Sequence, residues 1–211
     1  SRADECRKLL AAKQPRFAIT SLGLFLEQRA AHNLVPLVQP RINGSTSERY
    51  QVIARKDTAD SLESLRGKSL GGTVLEESEF VQRIVLAGKP DPASYFDLKP
   101  SRQALRALRA LDKGELDAVI LNGQQSAALT ALQLTNPVAA VFTSKDIPLM
   151  GMSANSRTST PDERRRFATA LEGMCTDQEG KKLCMLFGVE GFVAAVPAVF
   201  QPMIELWDRG K

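Results

Sequence analysis

The sequence predicts an α/β protein in which strands alternate with helices, and two segments carry that prediction. Residues 64–72 have the pattern of a short helix, a Gly-Lys turn and a strand, and residues 110–120 that of a helix end, a glycine stop and a buried strand. Gly114 stands where helices commonly end in glycine. Because strands that alternate with helices pair mainly in parallel, we expect mostly parallel sheets flanked by helices. The 211 residues suffice for one large domain or two small lobes.

Each strand is predicted from a short apolar or alternating run bounded by turn residues. The predicted strands are residues 16–20, 34–38, 50–55, 69–75, 95–98, 116–121 and 138–142. Each helix is predicted from apolar residues three or four positions apart, several with a polar cap at the start. The predicted helices are residues 21–33, 77–86, 101–113, 124–132, 160–174 and 197–207. In the helix at 101–113, Ser101 is the expected cap, and the apolar positions are Leu105, Leu108 and Leu111. Thr160 and Glu163 form a capping box around Pro161, which favours a helix start there.

Composition and charge exclude several classes of protein. A hydrophobic content of 43% with 25% charged residues is ordinary for a globular protein. No apolar run reaches the roughly 18–20 residues of a membrane span, and no signal-peptide pattern opens the chain. The net charge of +4 comes with only 6% aromatic residues, which is a poor match to a nucleic-acid-binding surface.

The three cysteines do not suggest a metal site. Cys6, Cys175 and Cys184 form no C-x-x-C pair, and the chain has a single histidine, so a Cys/His zinc site is not expected. Cys175 and Cys184 flank Gly180, which we expect to end one helix and let the chain fold back. These two cysteines are interpreted equally well as a disulfide of an oxidising compartment or as two buried thiols. A disulfide would leave Cys6 unpaired.

Four short segments occur in an order that resembles one family. They are Ser64-Leu65-Arg66-Gly67-Lys68, the helix end and Glu-Leu-Asp-Ala run within residues 111–118, Lys145-Asp146-Ile147-Pro148 and Gly188-Val189-Glu190-Gly191-Phe192. Together they resemble the phosphate/phosphonate-type periplasmic substrate-binding proteins of ABC transporters, over residues 7–200. The resemblance implies the type II periplasmic binding protein fold, which has two lobes.

The same resemblance implies a division of the chain. Residues 1–60 and 145–211 would form lobe 1, and residues 65–140 would form lobe 2. The crossings near residues 57–61 and 143–148 would act as hinges. A ligand would bind at the carboxyl ends of strands, where loops and helix N-termini of both lobes converge.

The sequence departs from the family pattern in ways that affect both fold and ligand. The strand, helix and strand that the family places before the position of Arg7 have no counterpart here, so lobe 1 is expected to be minimal or truncated. Residues 73–80 replace the family's Ser-Thr-Ser-Gly helix start with an acidic segment, which would repel a phosphonate. Arg102 stands where the family has a histidine, and Asn122 where it has an aspartate. The resemblance therefore implies the fold more strongly than the ligand.

Polar residues next to the predicted strands are the candidate ligand-binding residues. They are Thr20, Ser21, Tyr50, Thr73, Ser78, Ser101, Arg102, Asn122 and Gln124. Arg102 would grip a carboxylate or phosphate in bidentate fashion. Helix capping by Thr20 and Ser21, and packing of Tyr50, are the competing interpretations.

Two charged runs have a structural interpretation beside a functional one. Arg102, Arg106, Arg109 and Lys113 lie at helical spacing, which is typical of a solvated helix face. The glutamates within residues 76–79 would bind a cationic ligand, or act as favourable charges at a helix N-terminus.

The predicted function is solute binding without catalysis. His32 is the only histidine, no G-x-S-x-G elbow or phosphate-binding glycine loop is present, and no cofactor or metal is expected. The resemblance implies an extracytoplasmic monomer that binds a small polar or anionic ligand and passes it to a membrane ABC permease, with no nucleic acid involved. The alternative is a sensor or interaction module that keeps the fold without transport.

Overall fold

The computed structural model describes residues 2–209, which form two compact units. Unit 1 combines the described residues up to Ser47 with Pro148–Arg209, and unit 2 is Glu48–Ile147. The expected first boundary near residue 60 is wrong, because residues 48–60 belong to unit 2. The strand at Gln51–Arg55 pairs on both sides with strands of unit 2, which fixes this segment there.

Helices and strands alternate over much of the chain, as the sequence predicts, but consecutive strands occur within residues 34–55 and 138–155. The described strands are β1 (Phe17–Ile19), β2 (Leu34–Arg41), β3 (Ser47–Glu48), β4 (Gln51–Arg55), β5 (Ser69–Gly72), β6 (Asp97–Pro100), β7 (Ala118–Leu121), β8 (Val138–Thr143), β9 (Ile147–Pro148), β10 (Met152–Asn155) and β11 (Gly191–Ala194). The described helices are α1 (Arg2–Lys13), α2 (Leu22–His32), α3 (Ser78–Phe80), α4 (Pro92–Tyr95), α5 (Ala104–Lys113), α6 (Gly123–Leu129), α7 (Pro161–Gly173), α8 (Gln178–Phe187) and α9 (Pro197–Arg209). Within residues 2–209, no helix has both the length and the apolar character needed to cross a bilayer.

The sheet of unit 1 has the order β1-β10-β2-β11, and all of its neighbouring strands are antiparallel. A mostly parallel sheet is therefore wrong for unit 1. Strands β1 and β2 do share a direction, as the strand–helix–strand pattern around α2 predicts. Strand β10 comes from the distant part of the chain and inserts between them, antiparallel to both, which local sequence does not reveal.

The sheet of unit 2 has the order β6-β5-β7-β4-β8. Strand β5 is parallel to β6 and β7, whereas β4 is antiparallel to both β7 and β8. Four of the five strands thus share one direction, and β4 alone runs against them. In unit 2 the expectation of a mostly parallel sheet flanked by helices is confirmed.

Helix α5 covers this sheet with an apolar face. Ala107, Leu108 and Leu111 are buried and pack with Val119 and Leu121 of β7. Leu105, which the periodicity assigns to the same face, is exposed. The helix ends at Gly114 in the left-handed conformation, as predicted.

A disulfide between Cys175 and Cys184, whose Cα atoms are 5.9 Å apart, links the turn after α7 to α8. Gly180 does not end a helix as expected. It lies in the first turn of α8, where its N–H donates to the N-cap side chain of Asp177 at 2.7 Å. Cys6 is a free, half-buried thiol.

We expect removal of the disulfide to destabilise unit 1. Because the bond closes a short loop, it restricts the unfolded chain and stabilises the folded state by about 2.5 kcal/mol. The double variant Cys175→Ser/Cys184→Ala should lower the melting temperature by about 5–10 °C. Differential scanning calorimetry measures this, with Cys6→Ser as the matched control that should melt like the parent protein. Equal melting temperatures for the double variant and the parent would contradict the prediction.

Gly72 ends β5 in a conformation that excludes a side chain. Its φ is +148°, and a Cβ atom there would lie 2.6 Å from the Ile120 carbonyl oxygen. We expect Gly72→Ala to lower the free energy of unfolding by about 3–4 kcal/mol in urea titrations. Gly67→Ala is the matched control, because Gly67 also has positive φ but no atom within 4 Å of a built Cβ. Gly67→Ala should lower the free energy of unfolding by only about 1 kcal/mol, the cost of an L-residue in the left-handed region. Equal losses for the two variants would show that contact with β7 is unimportant.

Candidate functional site

The strands of unit 2 that share one direction end at the same edge of the sheet, and β4 begins there. Gln51 at the start of β4 is opposite Leu121 and Thr143, and Gly72 is opposite Pro100. The residues that adjoin these strand ends are polar, and we call them the polar edge: Tyr50, Thr73, Ser101, Asn122 and Ser144. The carboxyl ends of strands are the usual place for ligand binding in α/β sheets.

Tyr50 is held firmly at this edge. Its backbone N–H donates to the Ser144 hydroxyl at 2.9 Å, and the Ser144 N–H donates to the Tyr50 carbonyl oxygen at 2.9 Å. The buried ring of Tyr50 meets the ring of Phe80 edge to face, with the centroids 5.6 Å apart. The packing that the sequence offered as an alternative role for Tyr50 is therefore present.

Glu48 is the residue of this edge that the sequence did not reveal. Its carboxylate accepts a hydrogen bond from the Gly123 N–H at the start of α6, at 2.9 Å. It also accepts a hydrogen bond from the phenol hydroxyl of Tyr50. Burial raises the pKa of Glu48, although both hydrogen bonds oppose the rise. Burial, and then the negative charges of Glu48 and Glu77, raise the pKa of Tyr50 well above its usual range.

Asn122 and Thr73 are joined through one glutamine. The Asn122 side chain accepts from the Gln125 N–H at 2.9 Å, and Gln125 returns a bond to the Asn122 N–H, which completes a capping box at α6. The Gln125 amide also donates to the Thr73 hydroxyl at 3.0 Å. Gln124, the neighbouring candidate, is exposed.

Ser101 shapes the turn before α5 and is not its cap. Its hydroxyl donates to the Gln103 carbonyl oxygen at 3.0 Å, and its own N–H donates to the Gly72 carbonyl oxygen at 3.0 Å. The N-cap of α5 is Gln103, so the expected cap at Ser101 is wrong by two residues. Arg102 follows at the same edge with an exposed side chain.

The acidic segment after Thr73 is irregular in backbone conformation. A 3₁₀ turn at Val74–Glu77 leads into the short helix α3, which continues as a π-helical turn at Val81–Val85. Ser78 begins α3 and is exposed. Glu79 forms an ion pair with Arg83 at 2.6 Å, so its charge is compensated locally.

The two remaining candidates lie in unit 1, after β1. Ser21 is the N-cap of α2 and accepts from the Leu24 N–H at 3.1 Å, which is the capping role weighed from the sequence. Thr20 is buried, and its hydroxyl has no hydrogen-bond partner among the described residues.

An apolar cavity of about 370 Å³ also lies in unit 1, lined by Ile19, Met152, Leu171, Phe187 and Phe192 among others. Because these side chains offer nothing to pair with a charge, the cavity does not suit an anionic ligand. The polar edge of unit 2 is the better candidate site. Across residues 2–209, no cluster of three His, Cys, Asp or Glu side chains is arranged to hold a metal ion.

Comparison with known families identifies the chain over nearly its whole length. The family model described as the phosphonate-type periplasmic substrate-binding protein of ABC transporters matches residues 2–200. No curated protein sequence is matched.

Solved structures share the fold at low sequence identity. A Xanthomonas citri protein bound to a chloride ion superposes with a TM-score of 0.75 at 17% identity, covering 98% of this chain and 80% of its own. The binding component of a Pseudomonas aeruginosa ABC phosphonate transporter gives 0.73 at 17% identity, covering 97% and 71%. PhnD1 of Prochlorococcus marinus, in complex with methylphosphonate, gives 0.73 at 11% identity, covering 98% and 82%.

We expect replacement of Glu48 by glutamine to stabilise the protein at neutral pH. Because the folded-state pKa of Glu48 is raised, its contribution to stability is present at low pH and is lost as the pH rises through that pKa. Glu48→Gln keeps an acceptor for Gly123 without the buried charge. Its melting temperature should exceed that of the parent at pH 7, and the difference should shrink towards pH 4.

Glu163→Gln is the matched control, and its stability relative to the parent should change with pH in the opposite direction. Hydrogen bonding by Thr160 lowers the pKa of Glu163, so its ionised form stabilises the folded state above the unfolded pKa. This stabilisation is lost as the pH falls. Paired melting curves from pH 4 to pH 7 separate the two cases. If the melting temperature of Glu48→Gln minus that of the parent is smaller at pH 7 than at pH 4, the expected effect of Glu48 is refuted.

Proposed function

The chain belongs to the phosphonate-type periplasmic substrate-binding proteins of ABC transporters, and we propose that it binds a phosphonate-bearing small molecule for delivery to a membrane permease. The observation that carries the proposal is the family match over residues 2–200. The family is extracytoplasmic, and its members bind small solutes and act with ABC permeases. The methylphosphonate held by one structural neighbour supports the same ligand class.

We infer that the polar edge of unit 2 supplies the ligand contacts of this unit. Thr73, Ser101 and Asn122 bring hydroxyl and amide groups to one edge of the sheet. Arg102 adds an exposed guanidinium beside them. A guanidinium offers two parallel hydrogen bonds to an oxyanion and also carries the opposite charge. Thr20, Ser21, Ser78 and Gln124 remain predicted contacts.

The ligand we propose carries a cationic group as well as the phosphonate. Glu48 and Glu77 both place negative charge near Tyr50, and a simple anion would be repelled by them. An ammonium group on the ligand would convert that repulsion into attraction. We therefore propose an aminoalkylphosphonate rather than an alkylphosphonate.

Thermal shifts with three probes test this proposal: 2-aminoethylphosphonate, methylphosphonate and inorganic phosphate. A ligand at a hundred times its Kd stabilises the folded state by about 2.7 kcal/mol, which is about 5–10 °C in a protein of this size. We expect the aminophosphonate to give the largest shift. No shift with any of the three would contradict phosphonate binding, and a larger shift with methylphosphonate would contradict the cationic group.

The contribution of Arg102 is tested by Arg102→Gln in isothermal titration calorimetry with the probe that binds. Loss of a charge-assisted hydrogen bond is worth about 1.5–3 kcal/mol, so the affinity should fall about 10- to 100-fold. Arg166→Gln is the matched control, because Arg166 is also exposed but lies in unit 1. Equal affinity of Arg102→Gln and the parent would remove Arg102 from the site.

A further inference from the structure

Helix α5 carries an exposed row of cations on the side away from the sheet. Arg106, Arg109 and Lys113 are spaced three and four residues apart, so they lie on one face. The opposite face, with Leu108 and Leu111, is buried against β7. We call Arg106, Arg109 and Lys113 the basic ridge.

The charges of the basic ridge are not neutralised by the rest of the described chain. Within residues 2–209, none of the three forms an ion pair within 4 Å, although surface cations elsewhere do, such as Arg165 and Arg166 with Asp162. The acidic residue of α5 itself, Asp112, instead accepts hydrogen bonds from the backbone of Thr135 and Asn136.

The basic ridge borders a concave surface. A cavity of about 350 Å³ is lined by all three cations together with Gln103, Leu105 and Glu115. Glu115 is the one carboxylate of this lining, so positive charge remains in excess. A concave, positively charged surface fits a protruding acidic segment better than it fits a flat membrane, whose headgroups would not enter it.

We propose that the basic ridge is a docking surface for an acidic segment of a protein partner, with acidic side chains of that partner seated in the cavity. The family's partner is a membrane permease, which makes an acidic segment of the permease the natural occupant. This proposal does not depend on which ligand the polar edge binds. Charge complementarity of this kind mainly raises the association rate and fixes the orientation of docking.

Fluorescence anisotropy with a labelled 12-residue peptide of alternating glutamate and serine tests the proposal. The parent protein should bind this peptide, and the affinity should fall several-fold between 50 and 200 mM salt because screening grows. Arg109→Glu/Lys113→Glu should weaken binding at least 10-fold. Arg109→Gln/Lys113→Gln adds no carboxylate to the end of the helix. It should also weaken peptide binding measurably, but by a smaller factor.

The matched control is Arg165→Glu/Arg166→Glu, which changes the net charge equally in unit 1 and should bind within two-fold of the parent. An equal loss in the control would overturn the proposal, as would equal binding of a glutamine-for-glutamate peptide. Binding of phosphatidylglycerol vesicles without binding of the peptide would assign the basic ridge to membranes and also overturn it. Parent-like circular dichroism spectra and cooperative thermal unfolding show that the variants fold. Because this control needs no ligand, failure of the docking proposal is distinguishable from failure of ligand binding.

Discussion

The pairing of β4 with both β7 and β8 is the interaction on which unit 2 depends. Strand β4 runs against its two neighbours and joins parts of the chain that are far apart in sequence. Its register sets the position of the residues just before it, so Glu48 reaches α6 and Tyr50 reaches Ser144. Val52, Ile53 and Ala54 are buried on both faces of the sheet. A slip of one residue would exchange the side chains of the two faces and break their packing. The candidate site is therefore as well fixed as the core.

The sequence predicted those features that depend on neighbouring residues. The buried positions Leu108 and Leu111, the helix end at Gly114 and the capping box of Thr160 with Glu163 all follow from spacings of three or four residues. The insertion of β10 between β1 and β2 did not follow, because it pairs residues more than a hundred positions apart. The same reason explains the misplaced boundary between the units: nothing local shows that residues 48–60 pair within unit 2.

The candidate site was predictable in composition but not in its electrostatics. The residues that follow β5, β6 and β7 were chosen because strand ends meet at one edge, and the structure places Thr73, Ser101 and Asn122 there. Glu48 was missed because it lies in a polar stretch of the sequence that showed no helix or strand pattern, and only the fold brings it to α6. Glu79 shows the reverse case, since its charge looked available in the sequence but is paired with Arg83.

Unit 2 separates charges of opposite sign, and the length of α5 lets the two regions act independently. Acidic groups adjoin Tyr50 at the polar edge, whereas the cations of the basic ridge lie along the outer face of α5. Successive helical residues rise about 1.5 Å, so Lys113 lies about 13 Å along the axis from Ala104, the first residue of α5. That distance exceeds the screening length of about 8 Å at physiological ionic strength. Charge at the far end of the ridge therefore has little effect on an anion bound near Arg102, and selection can tune docking and ligand affinity by separate substitutions.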